Sequence, residues 1–168
     1  MRRVLALALV IALPSAVLAA PAPATAPVPR TLTPADQAAA FRAAGFERVG
    51  QAWRACEDTG PAYTPGEIEQ VVDLNADGRP EAIIVEGSAM CFGNTGMSYT
   101  VVSKQADGSW KLITEGIGLV TVLATRGAGG WADLEIGGPG FCFPVHRWNG
   151  REYDVQRHQY RGKACRPG

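Results

Sequence analysis

The chain has 168 residues, 46% of them hydrophobic, with 16 basic and 16 acidic side chains. That length suits one domain with a single core. The balanced charge gives no electrostatic reason to expect nucleic acid or an anionic membrane as a partner.

Arg2 and Arg3 precede an apolar run from Val4 to Leu13, and small residues follow from Ser15 to Ala20. A positive start, an apolar middle and a small-residue exit mark residues 1–20 as a secretory signal peptide, cleaved after Ala19 or after Ala24. The run is short for a membrane span and is soon followed by proline, so no stable membrane anchor is expected after cleavage. Residues 21–30 alternate proline with alanine, threonine and valine, the composition of an extended linker. Without Arg2 and Arg3 the exported chain carries 14 basic residues against 16 acidic ones. Residues 31–168 then form the folded domain, with a periplasmic or secreted address.

Thr33-Pro34-Ala35-Asp36-Gln37 reads as a helix start, with a threonine cap and a proline in the first turn. The helix is expected to run to Ala44, to end at Gly45, and to dock through Phe41 and Phe46. After Gly66 the pattern becomes strand and turn, with strands expected over 68–73, 81–85, 97–104, 110–115, 119–124, 131–136, 141–148 and 152–160. The fold class is therefore mainly β, an antiparallel domain of about eight strands behind one short N-terminal helix.

The last two strands flank Asn149-Gly150, a hairpin signal. A three-residue loop, Asn149-Gly150-Arg151, pairs Trp148 with Glu152 and His146 with Asp154. It places Phe141, Phe143, Val145, Tyr153 and Val155 on one face. His146, Trp148 and Asp154 then share a polar face, a possible binding surface. An acid–base role for the His146–Asp154 pair competes there with a solvated cross-strand contact. No nucleophile is tied to that pair by sequence, and no residue is assigned a catalytic role.

Cys56, Cys91, Cys142 and Cys165 form an even set without Cys-x-x-Cys spacing, which favours two disulfides over a zinc site. Hairpin geometry points to Cys56–Cys91 and Cys142–Cys165, since each pair falls at one end of a strand pair. The rival pairing joins Cys91 to Cys142 and Cys56 to Cys165. Between the first two strands lies Asp73-Leu74-Asn75-Ala76-Asp77-Gly78-Arg79-Pro80-Glu81. Side-chain oxygens at Asp73, Asn75 and Asp77, the Arg79 carbonyl and Glu81 can surround a hard cation such as Ca2+. The twelfth position of the loop, an acid in an EF-hand, is Ile84, which places affinity near ~10⁻⁴–10⁻³ M. A metal-free turn held by Asx hydrogen bonds is the competing reading.

A weak internal repeat relates Gly78–Gly87 to Gly130–Gly138: a glycine, an acid three residues on, and an apolar strand ending in glycine. Thr125, Gly127 and Gly129 replace Asp73, Asn75 and Asp77 in the second unit. An Asp-x-Asn-x-Asp-Gly-x-x-Glu loop leading into a strand, repeated with decay, resembles the FG-GAP repeats of integrin-type β-propellers. It is similar also to related (VCBS-like) repeats of secreted bacterial proteins. The resemblance implies two blade-like antiparallel sheet units packed together. The function expected from these features is an exported, non-catalytic binding or structural module stabilised by calcium and disulfides, with an unidentified protein or cell-envelope component as partner. Alternatives are an inhibitor of a cell-wall hydrolase, or a small hydrolase using the His146–Asp154 face. The glycine-rich loop from Ser88 to Met97 is the candidate recognition loop.

Overall fold

The structure is a computed structural model that describes residues 31–167, so the expected signal peptide and linker lie outside the described residues. Helix α1 (Pro34–Ala43) begins where the sequence places it. The Thr33 hydroxyl accepts a hydrogen bond from the Asp36 N–H at 3.1 Å, and Pro34 occupies the first turn, where no N–H is needed. Gly45 ends the helix at φ +81°. One face of α1 carries Ala40 and Phe41 into an apolar cluster with Phe46, Ala82, Ile84 and Val102.

The described residues contain eleven strands, joined in simple up-and-down order into two antiparallel sheets. The first sheet has six strands in chain order: β1 (Glu47–Val49), β2 (Ala52–Arg54), β3 (Thr64–Val72), β4 (Glu81–Gly87), β5 (Met97–Lys104) and β6 (Trp110–Ile117). The second has five: β7 (Leu119–Arg126), β8 (Ala132–Gly137), β9 (Phe143–Trp148), β10 (Tyr153–Tyr160) and β11 (Lys163–Ala164). The eight expected strands are β3 to β10. β1, β2 and β11 are two or three residues long, too short to leave a periodic signal. Two four-strand units, β3–β6 and β7–β10, thus stand where the internal repeat places them.

The layers are helix, first sheet, second sheet. Ile83, Tyr99 and Val101 of the first sheet meet Val120, Leu134, Ile136 and Tyr153 of the second, and Leu74 completes this inner core. Because α1 covers the other face of the first sheet, every residue of β4 is buried. The sequence shows this as an unbroken apolar run, Ala82 to Val85, between two glutamates.

The final hairpin differs from expectation by one residue. Trp148 pairs with Tyr153, Arg147 with Asp154 and His146 with Val155, across a four-residue loop. The Asn149 side chain builds that loop, its Oδ1 accepting from the N–H groups of Arg151 and Glu152 at 2.8 and 3.0 Å. Asp154 therefore lies on the opposite face from His146, and the expected His146–Asp154 partnership does not form. A bulge at Gln156 shifts the frame, so that Val145 faces Arg157. The expectation failed because it put Val145 on the inter-sheet face. Val145 is fully buried, but on the outer face of the sheet, in the strand row that carries the Arg147 and Arg157 side chains.

Gly118 alone separates β6 from β7 and passes the chain from one sheet to the other. Its φ is +147°, and a Cβ there would lie 2.4 Å from Ile136 Cγ2 and 2.8 Å from the Gly137 carbonyl oxygen. Both the backbone angle and the space require glycine. Gly118→Ala is expected to cost about 2 kcal/mol or more of stability, measured by urea unfolding, and an unchanged midpoint would show that the crossing is not constrained.

Candidate functional site

The acidic loop sits between β3 and β4 and turns its oxygens onto its own backbone. Asp73 accepts from the N–H groups of Asp77 and Gly78, at 3.1 and 2.9 Å, and Asn75 Oδ1 accepts from Asp77 N–H at 3.0 Å. Asp77 accepts from Arg79 N–H at 2.8 Å, from the Asn75 amide at 2.8 Å and from the Arg79 guanidinium at 2.5 Å. Ala76 at φ +60° and Gly78 at φ +82° supply the left-handed residues that the tight winding needs. Among the described residues, no group of three or more histidine, cysteine, aspartate or glutamate side chains is gathered as a metal site. The donor set of the loop is nevertheless all oxygen, the chemistry a hard cation takes.

Glu81, the last of the expected ligands, points inward. It is fully buried, with Oε2 accepting from Leu74 N–H at 2.6 Å and Oε1 from the Ser103 hydroxyl at 2.7 Å. Burial pushes its carboxyl up to about 7 against those two hydrogen bonds, and the charges of Asp77 and Asp73 push the same way. Leu74 also joins the two sheets. Its carbonyl accepts from Ala132 N–H at 2.7 Å and from the Arg126 guanidinium at 2.9 Å. The corresponding loop of the second unit comes so close that a Cβ on Gly130 would lie 2.9 Å from the Asn75 carbonyl oxygen.

The second unit solves the same problem differently. Asp133 holds the place of Glu81 in the repeat and is also fully buried. Arg147 reaches it with two hydrogen bonds at 2.9 and 2.8 Å, Arg157 with one at 2.9 Å, and the Thr125 hydroxyl with one at 2.6 Å. Burial works against the charge, but the hydrogen bonds from Arg147, Thr125 and Arg157 prevail and hold the Asp133 carboxyl well below the usual range. No local sequence signal marks this network, because its members lie on four strands.

Beside the acidic loop is a cleft of about 300 Å³ whose walls include Asn75, Asp77, Lys111, Trp131 and Trp148. The Trp131 and Trp148 rings lie 5.2 Å apart, and Trp148 also packs on Tyr153 at 5.4 Å. Trp148 is thus half-buried against the inner core rather than displayed on a polar face. His146 shares that side of β9; burial lowers its pKa, and the Asp154 charge opposes the shift. Asp154 itself accepts from the Asn149 amide at 2.5 Å.

The four cysteines pair as Cys56–Cys91 and Cys142–Cys165, with Cα separations of 6.4 and 5.6 Å. Each bridge joins a sheet end to a glycine-rich loop, and the two loops approach one another: a Cβ on Gly138 would lie 3.6 Å from Thr95 Oγ1. No protein-family model, curated protein or solved structure matches the chain.

The Asp133 network sets an acid limit. A carboxyl whose folded pKa is depressed contributes stability above its unfolded pKa, and that contribution is lost as pH falls toward the folded value. Unfolding midpoints in urea should therefore drop steeply below about pH 4. Asp133→Asn should cost about 3 kcal/mol at neutral pH and flatten the acid limb, since both arginines lose the buried charge they face. Equal acid sensitivity in the two proteins would assign the limb to other carboxylates.

Proposed function

We propose that the chain is an exported, non-catalytic binding or structural module whose acidic loop takes a calcium ion. The observation that carries the calcium reading is the contrast between the two buried acids. Asp133 is answered by two guanidinium groups, whereas Glu81, beside Asp73 and Asp77, receives only a backbone N–H and a hydroxyl. Calcium would add the positive charge that the first unit lacks, held by Asp73, Asn75, Asp77, the Arg79 carbonyl and Glu81. The resemblance of this loop to FG-GAP repeats supports the same assignment.

Export is supported by the two disulfides, which persist in oxidising compartments. Among the described residues, no helix is long and apolar enough to cross a membrane. A binding role is supported by the two disulfide-anchored loops, which carry the exposed side chains Met90 and Phe141 at 67% and 76% exposure. The partner this reading favours is a protein or another component of the cell envelope. The hydrolase alternative loses its motivating pair, because His146 and Asp154 stand on opposite faces of their hairpin.

Calcium at about 10 mM should stabilise the mature protein by about 1.4–2.7 kcal/mol for a dissociation constant of ~10⁻⁴–10⁻³ M, seen as a rise in Tm over the chelated sample. Asp73→Ala and Asp77→Ala should each remove the difference. A parent protein that melts identically with calcium and with chelator would leave the loop as a metal-free turn.

A further inference from the structure

On the helix side of the first sheet, beyond the end of α1, lies a cavity of about 390 Å³, within the size range of small-ligand sites. Its walls are apolar: Phe46, Phe92, Ile117 and the Cys56–Cys91 bridge. Its charged members are Glu86 and Glu115, and among the described residues no lysine, arginine or histidine lines it. Strand register explains how the two acids share it. Glu86 pairs with Ser98 and Ser98 with Ile117, while Thr100 in the next row pairs with Glu115. The carboxylates therefore rise from the same face on either side of β5, one row apart.

Glu86 is 1% exposed. Its Oε1 accepts from the N–H groups of Ala55 and Cys56, at 3.0 and 3.1 Å, and from the Tyr63 hydroxyl at 2.5 Å. Those donors fix the carboxylate and all fall on one oxygen, leaving Oε2 for the cavity. The nearby cation is otherwise engaged: Arg54 lies over the Tyr63 ring, 4.1 Å from its centroid, and donates to the Asp58 carbonyl. A pocket with apolar and aromatic walls and two acids, one of them immobilised, attracts positive charge on an apolar body.

We propose that this cavity binds a small organic cation, an alkylammonium group whose charge lies between Glu86 and Glu115 and whose carbon body lies against Phe46, Phe92 and the disulfide. Either a free amine or a lysine side chain of a partner protein presents that chemistry. The inference rests on the binding-module reading but not on calcium, so calcium-dependent melting and amine titration can fail separately.

The test is NMR titration of the mature, oxidised protein with n-butylammonium chloride, with n-butanol as the neutral control. Butylammonium should shift resonances of Phe46, Phe92, Thr100 and Ile117 with a millimolar or tighter dissociation constant, and butanol should bind at least about fivefold more weakly. Glu115 is exposed, so Glu115→Gln should keep the fold and weaken butylammonium binding by about fivefold. Glu86→Gln should abolish it, and Glu115→Gln alone decides the matter if that variant does not fold. A lysine-containing pentapeptide that binds more tightly than butylammonium would identify the source as a partner protein, and a weaker one would identify a free amine. No shifts up to about 20 mM amine, equal binding of butanol, or unchanged binding in Glu115→Gln would each overturn the proposal.

Discussion

A strand covered on both faces with an acid near each end is the constraint on which this fold depends. β4 is sealed between α1 and the second sheet, so Glu81 and Glu86 must find every partner inside the protein. Glu81 recruits the Leu74 N–H and Ser103, which fixes the acidic loop and the neighbouring β5. Glu86 recruits Ala55, Cys56 and Tyr63, which fixes the segment running from β2 into β3 beside the first disulfide. Each carboxylate thus organises one end of the molecule, and both candidate sites lie at those ends. The desolvation that makes the acids costly in the core is also what places them firmly where a ligand can use them.

The two four-strand units show one architectural problem with two electrostatic answers. Each buries an acid at the start of its second strand. In the second unit the acid gathers arginines from the next two strands, on the outer sheet face that also carries Val145. In the first unit the acid lies on the other, inter-sheet face, the side of Ile83, while α1 covers the face of Ala82 and Ile84. The acid there is left with neutral donors and two aspartates for neighbours.

Much of the fold was legible in the sequence because local signals agreed with one another. Thr33, Pro34 and Gly45 bounded the helix, and turn residues bounded β3 to β10. The cysteines sat at hairpin ends, so geometry indicated their pairing. The final hairpin was misread for a physical reason: Val145 is buried on the outer face alongside Arg147 and Arg157, so residue type points to the wrong face as the inter-sheet one. Trp148 was likewise assigned to a polar face because its register was one residue off. The cavity beneath the first disulfide left no local mark, because Glu86, Thr100 and Glu115 come from three strands and become neighbours only through pairing. Glu81 was visible as an end of the acidic loop, yet its inward turn depended on Ser103, a residue far along the chain.

The meander order has a consequence for how the protein is made. Within each sheet every strand pairs only with its neighbours in sequence, so each new pairing closes a short loop and carries little entropic cost. A chain that becomes available amino end first can therefore add strands one at a time to a growing sheet. α1, the first described element in chain order, first meets Phe46 and Trp53 of the segment that follows it, and gains Ala82, Ile84 and Val102 only when β4 and β5 have arrived. The two crosslinks span sequence separations of only 35 and 23 residues, so each can form within its own sheet without waiting for the other. Assembly by accretion, with the oxidised bonds sealing each sheet in turn, leaves little opportunity for the cysteines to exchange partners.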